Sequence, residues 1–410
     1  MRYTLMVVKT SVLKKSVMKI KTGHGSISLS KLIAIYSISM VTSLPGLAIS
    51  PILGKLETIF HSASELQLQM LESLPSFIII PFILLAGKLS LKVNRRKLLI
   101  AGLAIFFGCS VTYPFINNLS FLLFISGLLG VGAGMVIPFS TGLVADYFTG
   151  NYRTKQLGIV SAITNFALVL ATLLAGFLAG ISWHLSFVVY CISGISLYYA
   201  FSLDDNPPYT AEENQNKPVP SPFHPHWPVK LMLLYYLLTL LALTVPLNLS
   251  LYMHNLQLGN YDTSGTLISV FFLSMTLPGL FINKILEHLK QYTNFISMVL
   301  ISAGLILFTL KAGLFLLTIG VIAIGLGYGT MQPVIYDRTV SNINPKQAIF
   351  ALSLVMVMNY VAIVTYPFLL RLLENMFHSD SAYFPFFLCM ILSVAFTIFV
   401  FFRRHTETLG

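Results

Sequence analysis

Apolar residues in this chain occur in long runs that are separated by short polar segments. Twelve of these runs have about 20 residues, which is the length that an α-helix needs to cross the hydrocarbon core of a bilayer. The pattern predicts twelve membrane-spanning helices, at about residues 32–53, 68–89, 98–116, 121–144, 158–180, 185–203, 231–253, 264–283, 293–310, 314–336, 347–370 and 382–402. The predicted fold class is therefore an all-α membrane protein.

A polar, proline-rich segment divides the predicted helices into six and six. Residues 204–230 contain seven prolines and four acids, a composition typical of an extended linker. We therefore expect a bundle over residues 31–203, a linker over 204–230 and a second bundle over 231–403, with tails at 1–30 and 404–410.

The overall composition excludes a soluble globular domain. Hydrophobic residues make up 56% of the chain, charged residues make up 10%, and the mean hydropathy is +0.81. Soluble domains carry about 25% charged residues. Most of the chain is therefore expected to lie in lipid.

The basic residues indicate which loops face the cytoplasm. With the N-terminus inside, 22 of the 25 lysines and arginines fall on the inner side, and only Lys55, Lys311 and Arg371 fall outside. This positive-inside bias predicts a plasma membrane protein with both termini in the cytoplasm. The net charge of +11 is then a topology signal, and we expect no nucleic-acid partner.

The first thirty residues are basic and contain no acid. We expect a mobile tail that touches anionic lipid. Translation starting at Met1 and translation starting at Met18 both remain open.

A pattern of glycines and proline occurs twice, at an offset of 195 residues. Its members are Gly130, Gly132, Gly134 and Pro138 in the first copy, and Gly325, Gly327, Gly329 and Pro333 in the second. The duplication indicates two related halves, the architecture of carriers that rock about a central site. The glycines thin the helix on two sides, and they serve either packing alone or packing with a hinge at the proline. A phosphate-binding loop is disfavoured, because such a loop needs a strand before it and an acid after it, whereas a predicted membrane span surrounds this pattern.

Each copy leads into a polar loop that carries an acid, a base and a Lys–Gln pair. These residues are Asp146, Arg153 and Lys155–Gln156 in the first half, and Asp337, Arg338 and Lys346–Gln347 in the second.

The loop after the second predicted helix reads Gly-Lys-Leu-Ser-Leu-Lys-Val-Asn-Arg-Arg-Lys over residues 87–97. In a chain with twelve spans, it resembles the signature loop of the major facilitator superfamily. The glycine pattern, Ala145-Asp-Tyr-Phe148 and Trp183-His184 are similar to the drug-exporter branch, the drug:proton antiporters. The resemblance implies two pseudo-symmetric six-helix bundles and export by alternating access.

The same resemblance implies a cytoplasmic gate. Gly87 permits close helix approach, since small residues drive helix contact in lipid. Arg95 or Arg96 is expected to meet Asp146 when the inner side is closed. The alternative is that these bases only set the topology.

Five positions depart from the family's pattern. The loop acid is replaced by Leu91 and a glycine by Asn94, while Ser126 stands where many exporters have an arginine. The Gly-Pro pair of antiporters is absent near Ala171-Thr172. These departures put proton coupling of the usual exporter kind in doubt.

Glu72 is the one acid predicted to lie within a span. It precedes Gly87 by 15 residues, which places it about 22 Å from the inner end of the helix. An acid inside the membrane is expected to be functional. Glu72 is a candidate proton carrier, and the alternative is a residue at the outer gate or rim.

Polar uncharged residues within the spans are candidates to line a substrate cavity. They are Asn165, Gln332, Asn359 and Tyr360. Such sites form near the midplane between the halves, although amides also tie helices together. Because no lysine or arginine is predicted within the spans apart from Lys88, at the inner end of the second, we expect an amphipathic cargo that is neutral or cationic.

These patterns favour a bacterial secondary active transporter that exports amphipathic small molecules, with protons as the candidate coupling ion. The alternative is an uptake or facilitated carrier for a small neutral solute. We expect a monomer that is not an enzyme, without a cofactor or a metal site. The three cysteines, Cys109, Cys191 and Cys389, have no metal-binding spacing.

Overall fold

The structure is a computed structural model. It describes residues 19–45, 52, 56, 59–61, 65–205, 226–258, 261–310, 313–341, 343–379 and 381–403. The predictions for residues 1–18, for most of the linker (206–225) and for the tail 404–410 lie outside these residues.

Helices account for most of the described chain. The first half contains β1 (Lys19–Lys21), β2 (Ser26–Ser28), α1 (Leu29–Thr42), α2 (Glu65–Leu89), α3 (Arg95–Thr112), α4 (Leu119–Tyr147), α5 (Gly150–Ile181), the 3₁₀ helix Trp183–Ile192 and α6 (Ser193–Ala200). The second half contains α7 (His226–Asn255), α8 (Tyr261–Leu280), α9 (Ile282–Leu289), α10 (Thr293–Thr309), α11 (Leu314–Ser341), α12 (Ala348–Phe377) and α13 (Phe384–Arg403).

Nine helical segments in the described chain are long and apolar enough to cross a membrane. Two shorter apolar helices, Leu29–Thr42 and Ser73–Leu89, lie at the first and second predicted spans. Large apolar side chains lie exposed on the outer faces of the helices, for example Phe177, Phe315 and Phe368, which are 72–76% exposed. These surfaces suit contact with lipid.

The sixth predicted span is not one continuous α-helix. A 3₁₀ helix over Trp183–Ile192 precedes the short α6. Phe187 of this segment stacks on Tyr113, with ring centroids 4.5 Å apart, and Tyr190 packs beside the same ring. Since 3₁₀ runs longer than three or four residues are uncommon, we attribute the irregular backbone to this aromatic packing against the end of α3.

Helix packing repeats between the halves. In the first half α4 packs on α2 and α3, and in the second half α11 packs on α8 and α10. The halves meet where α2 crosses α12 and where α5 crosses α8. These two crossings are equivalent, since each pairs the second span of one half with the fifth span of the other. The interface therefore has the pseudo-twofold character that the duplicated glycine pattern predicts.

Residues 19–28 differ from the mobile tail predicted for the first thirty residues. β1 and β2 pair antiparallel, and Gly23 in the turn between them has a φ of +102°, which favours glycine. The Thr22 carbonyl accepts a hydrogen bond from the Thr149 backbone nitrogen at 3.0 Å, and Ile27 is buried. These contacts join the hairpin to the loop between α4 and α5.

Candidate functional site

The glycines of the first repeat pack on opposite sides of α4. A Cβ added to Gly130 would lie 2.8 Å from the carbonyl oxygen of Pro75 in α2. A Cβ on Gly132 would lie 2.7 Å from the backbone nitrogen of Phe106 in α3, and Gly134 faces α2 as Gly130 does. Both neighbouring helices therefore approach α4 closely at positions where only glycine fits.

The second repeat has the same arrangement in α11. A Cβ on Gly325 would lie 2.8 Å from the Phe271 carbonyl oxygen of α8, and Gly329 faces the same helix. A Cβ on Gly327 would lie 2.6 Å from the Ser297 carbonyl oxygen of α10. The repeat thus makes equivalent contacts in the two halves.

The prolines of the repeat lie inside helices that continue beyond them. Pro138 lies within α4 and Pro333 within α11. Each proline removes one backbone hydrogen bond from its helix. Hinge motion at these positions stays a prediction.

Arg95 and Asp146 connect α3 to α4. The Asn94 side chain caps α3 by accepting a hydrogen bond from the Lys97 backbone nitrogen at 3.2 Å, so the helix begins at Arg95. Arg95 Nη1 lies 2.5 Å from Asp146 Oδ1, and the Asp146 side chain is 1% exposed. Because the ion pair is buried, loss of one partner would leave an uncompensated charge, at a cost of about 3–5 kcal/mol.

The same arginine also reaches the second half. Arg95 Nη2 donates to the carbonyl oxygens of Pro345 and Lys346, at 3.2 Å and 2.8 Å. These carbonyls lie in the loop between α11 and α12. Arg95 therefore joins three segments from the two halves at the end of the bundle that carries the basic loops, which we call the basic end.

A second polar contact crosses the interface at the basic end. Arg153 Nε of α5 donates to Asp337 Oδ1 of α11 at 2.8 Å, and the Thr154 hydroxyl donates to Asp337 Oδ2 at 3.1 Å. Arg153 Nη2 also donates to the Ser341 hydroxyl at 2.8 Å. Charge-assisted hydrogen bonds of this kind hold the two halves together at this end.

Arg96 does not meet Asp146. Its guanidinium lies 3.2 Å from the Asp205 carboxylate and donates to the Phe201 carbonyl oxygen at 2.7 Å. Of the two arginines considered for the gate, the structure therefore brings only Arg95 to Asp146.

Small residues allow the halves to touch where the helices cross. A Cβ on Gly87 of α2 would overlap the Ser353 side chain of α12. A Cβ on Gly158 of α5 would overlap the Gly279 carbonyl oxygen and the Ile282 side chain. The offset of 195 residues relates Gly158 to Ser353 and Gly87 to Ile282, so the two crossings use equivalent positions.

The structure shows the surroundings of the residues that depart from the family's pattern. Leu91 is 45% exposed, and Asn94 has become the cap of α3. Ser126 is fully buried, and its hydroxyl donates to the Leu71 carbonyl oxygen at 2.8 Å. Thr172 bonds back to its own helix, which continues without a break. The position of the exporter's arginine is thus used here for helix packing.

A cluster of tyrosines surrounds Gln332 in the second half. Gln332 Nε2 donates to the Tyr235 hydroxyl at 3.2 Å and to the Tyr336 hydroxyl at 3.3 Å. The Tyr235 and Tyr336 hydroxyl oxygens lie 2.7 Å apart, and the Tyr328 hydroxyl lies 3.4 Å from that of Tyr235. Residues from α7 and α11 therefore form one buried hydrogen-bonded group.

Tyr360 lies at the interface between the halves. Its hydroxyl donates to the Thr42 carbonyl oxygen of α1 at 3.4 Å. Tyr360 belongs to α12, which packs on α7 and α11, the helices that carry the Gln332 group. We call Tyr235, Tyr328, Gln332, Tyr336 and Tyr360 the tyrosine cluster.

The other predicted site residues do not belong to the tyrosine cluster. Asn165 is buried in α5, and its Nδ2 has no hydrogen-bond partner in the described part of the chain. Asn359 is partly exposed in α12, next to Tyr360. Glu72 lies in α2, but its side chain is outside the described residues.

The sequence interpretation did not select Tyr235, Tyr328 and Tyr336 as site residues. No local pattern singles them out, because tyrosine is common in this chain and the three residues lie on two helices that are far apart in sequence. The sequence presents Arg153 and Asp337 only as members of the duplicated loops, and no sequence pattern indicates that the two residues meet.

The sequence profile of the Major Facilitator Superfamily matches residues 27–367 of the 410. The chain belongs to the major facilitator superfamily. This confirms the resemblance seen in the loop at residues 87–97. Members of this family are multi-pass membrane transporters that bind small-molecule substrates, and they are not enzymes.

A solved structure shows the same fold. The human organic anion transporter MFSD10 (TETRAN) superimposes with a TM-score of 0.70, covering 90% of this chain and 97% of that chain at 14% identity. At this identity the similarity shows the fold alone. The predicted fold, two pseudo-symmetric bundles of the major facilitator type, is thereby confirmed.

Relatives with a recorded role match over part of the chain. The multidrug transporter protein MdtP of Bacillus subtilis (strain 168) is 32% identical over 112 residues, which are 27% of this chain and 21% of that protein. The quinolone resistance protein NorA of Staphylococcus aureus (strain Mu50 / ATCC 700699) is 32% identical over 115 residues, 28% of this chain and 29% of that protein. The match spans less than a third of either relative.

Proposed function

We propose that this major facilitator transporter exports amphipathic small molecules, neutral or cationic, across a bacterial plasma membrane by alternating access. The observation that carries the proposal is the closure of the basic end by polar contacts between the halves. In the proposed topology this end faces the cytoplasm, and the structure then corresponds to a state closed toward the cytoplasm.

The contacts at the basic end are suited to break and re-form. The pair of Arg153 and Asp337 is partly exposed, with side-chain exposures of 16% and 21%, so water replaces the lost hydrogen bonds when the halves separate. Arg95 keeps its buried partner Asp146 when it releases the carbonyls of Pro345 and Lys346. Separation therefore leaves no buried charge without a partner, which supports a gate between the halves.

The small residues at the crossings support the same motion. Gly87 lies against Ser353, and Gly158 lies against Gly279 and Ile282, so the helices approach each other closely at both crossings. Smooth, close contacts of this kind allow one bundle to rotate against the other about the interface. We propose that residues 31–203 and 231–403 move as the two bodies, that the segment 204–230 links them, and that the protein acts as a monomer.

The amphipathic cargo is supported by two observations. The partial relatives are a multidrug transporter and a quinolone resistance protein by name. The tyrosine cluster is aromatic and uncharged, which suits organic compounds better than sugar phosphates or di-acids.

Transport into inside-out membrane vesicles tests the proposal. A panel of fluorescent amphipathic compounds is offered with and without a pH gradient, and vesicles without the protein serve as the control. Accumulation inside the vesicles supports export. Accumulation only in right-side-out vesicles would instead identify an uptake carrier, and equilibration in both kinds of vesicle would identify a facilitated carrier for neutral solutes.

We propose Glu72 as the proton carrier, because it is the one acid predicted within a membrane span. Glu72→Gln is expected to abolish accumulation driven by a pH gradient, since the amide does not titrate, while expression and vesicle insertion stay unchanged. Glu287→Gln, at an exposed position in α9, is the matched control. Full pH-driven transport by Glu72→Gln would rule out the role.

A further inference from the structure

We propose that the tyrosine cluster binds the protonated amine of a cationic cargo, and that this amine donates an N–H hydrogen bond to Gln332 Oε1. The inference rests on the proposed transport of amphipathic compounds and names a substrate class for the site. It assigns a role to the one side-chain nitrogen or oxygen of the cluster that has no hydrogen-bond partner among the described residues.

The hydrogen bonds of the cluster identify this atom. A tyrosine hydroxyl donates one hydrogen and accepts up to two. The Tyr235 oxygen accepts from Tyr328 and from Gln332, so its own hydrogen goes to Tyr336. The Tyr336 oxygen accepts this hydrogen and a second one from Gln332. Both hydrogens of the Gln332 amide are therefore used.

The carbonyl end of the same amide is left over. Gln332 Oε1 is buried and has no hydrogen-bond partner in the described part of the chain. Tyr235 and Tyr336 hold the nitrogen end of the amide, so the oxygen end is fixed in position. A buried acceptor without a hydrogen-bond partner destabilises the protein, because it has lost its bonds to water. A ligand that brings an N–H donor removes this destabilisation.

The aromatic rings supply the second half of the recognition. The ring centroids of Tyr235 and Tyr336 lie 5.6 Å apart, and those of Tyr235 and Tyr328 lie 6.5 Å apart. The faces of tyrosine rings attract organic cations within about 6 Å. No carboxylate belongs to the cluster, so binding is by ring faces and one carbonyl dipole, which is weak enough for a carrier that must release its cargo.

Gln332 and Tyr360 are the more accessible members of the cluster, and Tyr360 lies at the interface between the halves. Tyr235, Tyr328 and Tyr336 are at most 6% exposed, whereas Gln332 and Tyr360 keep more accessible surface. Gln332 lies nine residues before the end of α11, about 14 Å from the basic end along the helix. Tyr360 bridges from this depth to α1 of the other half. A cargo between the halves therefore meets Gln332 and Tyr360 first.

The proposal separates two kinds of cation. A protonated tertiary amine carries an N–H donor and a charge, whereas its N-methylated quaternary derivative carries the charge alone. Both are attracted by the rings, but only the tertiary amine pairs with Gln332 Oε1. The wild-type protein is expected to bind the tertiary amine about tenfold more tightly, the lower end of the range for hydrogen bonds to charged groups.

The test is equilibrium binding of such a matched pair to the purified full-length protein in detergent. A radiolabelled lipophilic tertiary amine and its quaternary derivative are the probes. Gln332→Leu is expected to weaken tertiary amine binding about tenfold and to leave quaternary binding within about twofold, which removes the preference. Gln332→Met gives the same readout if the leucine variant does not fold.

Gln156→Leu is the matched amide control, because Gln156 Oε1 already accepts a hydrogen bond from Tyr36 at 2.6 Å. Its ligand preference is expected to match that of the wild type. Tyr328→Leu is expected to weaken both probes alike, by about two- to thirtyfold, because it removes a ring face.

A wild-type protein without preference, or a preference that persists in both Gln332 variants, overturns the inference. Failure of the proposed function is recognised separately in the vesicle assay. If the protein does not transport but its preference for the tertiary amine depends on Gln332, the binding inference holds and the proposed function fails. If the protein exports the compounds but the preference does not depend on Gln332, the proposed function holds and the binding inference fails.

Discussion

Replacing Asp337 by asparagine removes one charge from the contact that joins the two halves at the basic end. Asp337 accepts hydrogen bonds from Arg153 at 2.8 Å and from Thr154 at 3.1 Å. Asparagine has nearly the same shape, so helix α11 is expected to stay intact. We therefore predict that the Asp337→Asn protein folds normally and populates a state with the basic end open.

The size of this shift follows from the exposure of the pair. Hydrogen bonds to charged groups contribute about 1.5–3 kcal/mol when they are buried, and exposed ion pairs contribute about 1 kcal/mol or less. The side chains of Arg153 and Asp337 are 16% and 21% exposed, which places the pair between these limits. A loss of about 1–2 kcal/mol changes the ratio of closed to open molecules by a factor of about 5–30.

Electron spin resonance distances measure this ratio. Cys109, Cys191 and Cys389 are first replaced by serine, and spin labels are then placed at Lys155 and Glu287. Both residues are exposed, and they lie in opposite halves at the basic end. A shift of the label distances toward longer values in Asp337→Asn is the expected result.

Asp205→Asn is the control for loss of an acid near an arginine. Asp205 lies at the start of the linker, 3.2 Å from Arg96 of the first half, so their contact does not join the two halves and this variant is expected to keep the wild-type distances. Identical distance distributions for Asp337→Asn and wild type would falsify the reasoning. A longer distance in Asp205→Asn would also count against it, because the effect would then not depend on a contact between halves.

Two further predictions concern buried small residues. Gly158→Leu is expected to abolish transport and closure of the basic end, because the leucine side chain would overlap the Gly279 carbonyl oxygen. Gly180→Leu, in the same helix, places its side chain in open space and is expected to transport normally. Normal transport by Gly158→Leu would contradict the prediction. Ser126→Arg, which introduces the exporter's arginine, is expected to destabilise the protein by at least about 3 kcal/mol, because the guanidinium would replace a fully buried hydroxyl bonded to Leu71. Thermal unfolding in detergent measures this against Ser126→Ala, and an Arg variant as stable as the Ala variant would show that the site accepts a charge.

The local sequence determined the positions of the membrane-spanning helices, which depend on how apolar each segment is. The hydrophobic runs predicted most helices to within a few residues, for example 121–144 for the observed Leu119–Tyr147. An apolar run in lipid must satisfy its backbone internally, so its length alone identifies a helix. The duplicated glycine pattern also indicated two related halves, because an identical spacing at half the chain length reflects a duplicated helix and not a chance contact.

Tertiary structure decided which residues meet. Adjacent arginines in the same loop have different partners, since Arg95 pairs with Asp146 while Arg96 pairs with Asp205. A one-residue step turns a side chain by about 100° at a helix start, and only the packing of α3 against α4 fixes which arginine faces the acid.

The tyrosine cluster shows the same limit most clearly. Tyr235 and Tyr336 are 101 residues apart in the sequence, and their hydroxyl groups are hydrogen-bonded to each other at 2.7 Å. Hydropathy and residue spacing do not predict such a contact, because it depends on the rotation and depth of α7 relative to α11. The sequence by itself determined a duplicated membrane transporter, whereas the packing of the helices placed the Gln332 carbonyl among tyrosine rings, without a hydrogen-bond partner in the described part of the chain.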